Sequence, residues 1–225
     1  AGATPAKDIR NVVRPAVDLV DLGFALMKST GDAGPKGGSY SSLRFRDGLL
    51  VAFLIHCPLR RRNLEALELD RHLYKEEGVW RINIPADETK TGKAIRCAWP
   101  LALVDELETY LAVHRQVLLN CGTHAEDTDK LWVSRQGRAM SAFAIYQAIT
   151  DRTEAAFGKP INPHTFRHIA ATDLASLAPE CATAIADILG HGSMGPSEKY
   201  YNRSRTIGAA ERMHQTFEAC RRAGI

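Results

Sequence analysis

Asn162-Pro163-His164-Thr165-Phe166-Arg167-His168-Ile169-Ala170-Ala171 is the stretch on which the reading of this chain turns. Pro163 can open a helix, because the first helical position has no use for the N–H that proline lacks. The spacing predicts a helix from His164 to Leu177. On it, His164 and Arg167 stand one turn apart and share a face. A helix start presents unpaired N–H groups and the positive end of the dipole, so it favours anions. The small apolar residues Ile169, Ala170 and Ala171 predict burial just beyond. A His-x-x-Arg pair is common on surfaces. A basic pair rising from a buried helix, beside that helix's N-terminus, is more often a site.

Upstream, Pro58-Leu59-Arg60-Arg61-Arg62-Asn63-Leu64 sets three arginines between apolar segments. Alone it reads equally as a solvated turn or as phosphate contact by at least one guanidinium fork. A helix is expected from Phe45 to Cys57, ended by Pro58, and a short one from Asn63 to Leu69. Val79–Pro85 and Ala94–Trp99 alternate like strands. Between them Thr89-Lys90-Thr91-Gly92-Lys93 makes a basic hairpin tip with Gly92 as the turn residue. A helix is expected over residues 9–28 and a flexible loop over 31–39. Further on come an amphipathic helix from Leu101 to Leu119, a buried segment Leu131-Trp132-Val133, and a helix capped by Ser141 that reaches Phe157. A shorter helix is read over residues 181–189, closed by Gly190, and a helical tail over about the last 25. In Leu189-Gly190-His191-Gly192 the histidine alone would be a capping feature, and Tyr200-Tyr201 alone would be core packing. The fold class is therefore mainly α with a small antiparallel β-hairpin (α+β).

In this order, Arg60, Lys90, His164-x-x-Arg167, Leu-Gly-His191 and a tyrosine nine or ten residues later resemble the tyrosine recombinase, or phage integrase, family. Pro58-Leu59-Arg60 with Asn63-Leu64-Glu65-Ala66-Leu67 looks like its first arginine box. Thr89 to Lys93 looks like its lysine hairpin, and Pro163 to His168 with Ala171-Thr172 like its second box. The resemblance covers about residues 45–205 and implies the family's catalytic-domain fold. It implies DNA strand cleavage and rejoining through a 3′-phosphotyrosyl bond, with neither ATP nor a metal and no cofactor. It assigns Arg60, Lys90, His164, Arg167 and His191 to the pocket. The usual spacing would select Tyr200 as nucleophile. Tyr200-Tyr201-Asn202 resembles a subgroup in which the tyrosine stands ten residues on, which favours Tyr201. Arg61, Arg62, Lys93 and His168 are the expected DNA contacts beyond the pocket. Pro196-Ser197 departs from the two threonines often found there.

The implied partners are double-stranded DNA, further copies of the chain (a dimer or tetramer on DNA) and an accessory DNA-bending protein. Residues 41–225 are expected to form the catalytic domain with a helical tail that packs on a neighbouring copy. Residues 1–40 are expected to hold a helix and linker, the remnant of or connection to a separate DNA-clamping domain, in a piece of a longer protein. The same chemistry serves type IB topoisomerases and telomere resolvases. A catalytically silent DNA-binding protein would have lost a pocket residue, and a generic helical interaction domain would not carry six motif positions in register.

Composition bounds this reading without making it. The chain has 225 residues, 45 % hydrophobic and 24 % charged, with a net charge of +3. These are ordinary values for a globular protein, and so small a charge neither argues for nor against nucleic acid. Five cysteines without CxxC spacing argue against zinc and a disulfide framework. The longest apolar run, Leu49–Ile55, is too short for a membrane span, and the expected setting is the cytoplasm of a bacterium, the protein being host- or phage-encoded.

Overall fold

Leu49, Leu50, Val51, Ala52, Phe53, Leu54 and Ile55 are all fully buried, so the longest apolar run is the centre of the molecule. A helix that is apolar all round belongs inside a core. The computed structural model describes residues 14–30, 38–121, 128–177 and 219. The central helix is α2 (Gly38–His56). It starts seven residues before the expected Phe45, taking in the end of the glycine-rich stretch, because tertiary contacts hold its first turns. Ser42 bonds the Nδ1 of His114 at 3.1 Å, and Leu43 packs on the core.

Helix α1 (Ala16–Lys28) crosses α2 at close range. A Cβ on Gly48 would stand 2.6 Å from the Gly23 carbonyl oxygen, and one on Gly23 would stand 2.7 Å from the Ala52 Cβ. Two glycines thus let two backbones touch. The part of the expected 9–28 helix before residue 14 lies outside the described residues. Asp47 on α2 is buried but satisfied: Arg46 bonds one carboxylate oxygen at 2.9 Å and Arg152 the other at 3.0 Å. Arg46 also reaches the Val133 carbonyl at 2.8 Å. A buried charge is tolerable only with such partners.

Helix α3 (Arg61–Ala66) ends three residues before the expected Leu69. The chain leaves it in extended form, and Leu67 and Leu69 pair with the 129–131 segment: Leu131 N–H donates to Leu67 at 2.9 Å and Leu69 N–H to Asp129 at 2.8 Å. Three strands follow as an antiparallel meander, β1 (Leu73–Glu76), β2 (Val79–Ile84) and β3 (Ile95–Ala98). The expected hairpin is β2–β3, with Ile82 opposite Cys97 and Ile84 opposite Ile95. Strand β1 was not expected. It joins β2 through Glu77-Gly78, both at positive φ (50° and 81°), the backbone of a two-residue hairpin turn.

The expected 101–119 helix is helical but not uniform. A 3-10 turn (Leu101–Leu103) leads into α4 (Val104–Thr109), a π turn (Tyr110–His114) and α5 (Arg115–Asn120). The wider turn sets both Tyr110 and His114 inward. The Tyr110 hydroxyl donates to the Leu131 carbonyl at 3.1 Å and accepts from Val133 N–H at 3.3 Å, while His114 stacks on Phe45. Leu131, Trp132 and Val133 are buried, as read. Helix α6 (Ala142–Phe157) starts on its Ser141 cap and closes at Gly158 in the left-handed region. Helix α7 (Pro163–Leu177) lies where Pro163 placed it. Among the described residues, no helix is long and apolar enough to cross a membrane. The helices read over residues 181–189 and the tail lie outside the described residues.

Candidate active site

Helix α7 opens on Asn162, whose side-chain oxygen accepts from His164 N–H at 3.0 Å and Thr165 N–H at 3.1 Å. Phe166, Ile169 and Ala170 are buried on one side. His164 and His168 are exposed, and Arg167 lies between these extremes, half-buried. Arg167 donates to the carbonyl of Pro58, two residues before Arg60. The two arginine boxes, more than a hundred residues apart in sequence, therefore meet in space.

Their meeting leaves an electrostatic mark. Burial, and then the neighbouring Arg60, push the Arg167 guanidinium down to about 10. That is still far above neutrality, so Arg167 keeps its charge beside Arg60. Two crowded cations at the start of a helix would be stabilised by an anion between them. His164 is also held below its ordinary value, by partial desolvation and then by His168 and Arg167. Its Nε2 lies 3.2 Å from that of His168, with the rings edge to face. A neutral imidazole beside a cationic pocket can accept a proton.

Lys90 and Lys93 are exposed on the β2–β3 tip, where Gly92 has φ +65°. The Thr89 hydroxyl lies 2.8 Å from the Lys93 carbonyl and accepts from Lys93 N–H at 3.1 Å, which closes the loop. The tip is tied to the arginine box: Asn63 of α3 donates to the Glu88 carbonyl at 3.2 Å. Arg61 is exposed and lies 5.9 Å over the Tyr146 ring of α6, while Arg62 is exposed beside it. His191, Tyr200 and Tyr201 lie outside the described residues.

Sequence reasoning passed over several neighbours. Cys57, the residue after α2, has its thiol 3.9 Å from that of Cys97 on β3. The contact with Cys97, with burial, pushes the Cys57 thiol well up. Glu88 and Tyr146 carried no local signal, since each matters only through a partner distant in sequence, Asn63 of the first arginine box for the one and Arg61 for the other. Among the described residues, no three His, Cys, Asp or Glu side chains gather as metal ligands.

A helical body with a short antiparallel meander, carrying its basic side chains on the start of one helix and on a hairpin, is the catalytic-domain fold of tyrosine recombinases. The site-specific recombinase XerH, in a post-cleavage complex with palindromic difH substrate, shares it at a TM-score of 0.55 and 18 % identity, over 86 % of this chain and 51 % of that one. Sequence comparison makes the assignment specific. The sequence model of the Phage integrase family matches residues 32–206, and the chain belongs to that family. It is 28 % identical over 192 residues to the tyrosine recombinase XerD of Pseudomonas putida, covering 82 % of this chain and 60 % of that protein. It is 26 % identical over 190 residues to XerD of Chlorobaculum tepidum, covering 83 % and 57 %. The chain thus spans about 60 % of the length of these relatives.

Proposed function

We propose that the protein is a site-specific DNA recombinase that cuts and rejoins strands through a covalent phosphotyrosine. The observation that carries this is the meeting of Arg60 and Arg167 at the head of α7, with His164 beside them. A phosphodiester under attack gains negative charge on its nonbridging oxygens, and two guanidinium forks stabilise that charge best when fixed in advance. A tyrosine hydroxyl, on Tyr201 with Tyr200 as the alternative, attacks phosphorus, and its proton passes to His164. The bond to the 5′-oxygen breaks, and that oxygen takes a proton from Lys90. Energy is retained in the phosphotyrosyl ester, so the partner strand's 5′-hydroxyl reverses the step and restores DNA. His191 adds a third donor to the phosphate. Arg61, Arg62, Lys93 and His168 contact the DNA around it. The XerH structures, bound to difH substrate before and after cleavage, support double-stranded DNA as the partner. Exchange requires several copies on DNA, with a DNA-bending protein as an accessory. The XerD relatives support a bacterial cytoplasmic setting.

The test begins by selecting bound duplexes from a randomised pool. A nicked duplex is then built on the recovered site, so that cleavage releases a short fragment and traps the protein. Wild type should give a covalent protein–DNA band that Tyr201→Phe lacks and Tyr200→Phe keeps. Loss in Tyr200→Phe alone would move the nucleophile by one residue. No band on that site would leave a DNA-binding protein. Relaxation of supercoiled plasmid without strand exchange would make it a type IB topoisomerase.

A further inference from the structure

His72 lies in the turn before β1 and is 1 % exposed, yet its imidazole serves no part of the pocket. Its Nδ1 accepts from the Glu68 N–H at 3.2 Å. An Nδ1 that accepts leaves the ring proton on Nε2. That nitrogen faces the Glu88 carboxylate at 3.0 Å. Arg71 donates to the other oxygen of the same carboxylate. The Glu88 N–H donates to the Pro85 carbonyl at 3.2 Å, and its own carbonyl accepts from Asn63 at 3.2 Å. Every polar group of Glu88 is thus held.

The surroundings complete the clamp. Glu68 pairs with Arg71 and with Lys130, each at 2.8 Å. These two cations hold its carboxyl down to about 2. Two carboxylates and two cations balance around one buried imidazole. Glu88 is the last residue of the 3-10 turn Ala86–Glu88, and Lys90 follows two residues later. Beyond Thr89 the tip, residues 90–94, is exposed, and Glu88 is where that loop joins the body.

We infer that His72 and Glu88 are positioning residues for Lys90: they fix the foot of the hairpin so that its ammonium meets the departing oxygen. This rests on the reading of Lys90 as the proton donor. A donor on a short loop depends on its anchor, since a displacement of about 1 Å can cost about 100-fold in rate. Neither side chain needs to touch DNA to act in this way.

Leaving-group chemistry separates positioning from general damage. Replacing the scissile 5′-bridging oxygen by sulfur gives a thiolate, which departs without a proton because thiols are far more acidic than alcohols. Glu88→Ala and His72→Phe should slow single-turnover cleavage of the oxygen-linked nicked duplex by about 10- to 100-fold, the scale of a small misplacement of the proton donor. Both should cleave the sulfur-linked duplex at close to the wild-type rate. Glu88→Gln, which keeps an oxygen for His72, should retain most of the oxygen-linked rate. Lys90→Ala is the reference and should show the same rescue more strongly. Should His72→Phe fail to fold, Glu88, whose side chain is 24 % exposed, decides alone. Wild-type oxygen-linked rates in Glu88→Ala, or equal slowing on both linkages, would overturn the positioning role. Absence of rescue in Lys90→Ala would instead remove Lys90 as the acid, a different failure with a different signature.

Discussion

The two parts of the candidate site are built differently. Arg60 and Arg167 stand on the helical body: Leu59 beside the first and Phe166 beside the second are fully buried, and Arg167 is pinned to the Pro58 carbonyl. Lys90 stands on a loop exposed from residue 90 to 94, with only Glu88 and Thr89 tied down behind it. Groups that stabilise charge gain from being fixed before the reaction. A group that delivers one proton needs reach, with an anchor at its base. The division predicts that body and hairpin fail in different ways.

The largest effect should come from the body. Arg167→Ala should lower single-turnover cleavage by about 100- to 1000-fold, the usual loss for one fixed donor to transition-state charge. Arg167→Lys should recover little, since a point charge does not replace a fork. Both defects should persist on a sulfur-linked substrate, because phosphate charge is independent of the leaving group. Rescue of Arg167→Ala by sulfur would erase the distinction between the two parts.

What the sequence displayed of this arrangement follows from how local each signal is. Pro163 and Ser141 act on their own neighbourhoods, and each helix they mark starts where they placed it; the Leu49–Ile55 run marks the middle of α2, whose first turns lie earlier than expected. Strand β1 was missed because Leu73-Tyr74-Lys75-Glu76 alternates weakly and Glu77-Gly78 lacks the Asn or Asp that flags a tight hairpin. The inserted π turn was hidden because Tyr110 and His114 bury polar atoms against partners at Leu131 and Ser42, which no periodicity reveals. In the candidate site, the order of basic residues was visible, while the clamp was not. His72 and Glu88 are 16 residues apart and meet only once β1 and β2 pair.

Next in size is a test of the body's packing. Gly48→Ala would set a methyl group 2.6 Å from the Gly23 carbonyl and 2.8 Å from the Met27 Cγ. Backbone cannot yield as a side-chain tip can, so the helices must separate. A loss of about 1–3 kcal/mol is expected, read as a lowered urea midpoint with an unchanged slope. A midpoint equal to wild type would mean that the α1–α2 contact is looser than its geometry.

The proposed proton acceptor offers a smaller, pH-dependent test. Partial desolvation first, then His168 and Arg167, disfavours the charged form of His164. The acid limb of cleavage should therefore lie below the ordinary histidine value of about 6.5. Removing the neighbouring imidazole in His168→Gln takes away one cause, so the limb should move upward in pH. It should stay below the ordinary value, because the first cause remains. A limb that moves downward would show that His168 stabilises the imidazolium by sharing its proton across the 3.2 Å contact.

The smallest effect belongs to the hairpin tip and completes the contrast with Gly48. A Cβ on Gly92 meets nothing within 4 Å, but its φ of +65° lies in the left-handed region. Gly92→Ala should therefore cost only the backbone term, about 1 kcal/mol. Gly92→Asn should cost less, since asparagine tolerates that region. The informative readout is again the leaving group. If the anchor at Glu88 sets the position of Lys90, a strained tip should leave the oxygen-to-sulfur rate ratio near that of wild type, because the foot of the loop is untouched. A ratio that falls as far as in Glu88→Ala would shift control of the proton donor from the foot of the hairpin to its turn.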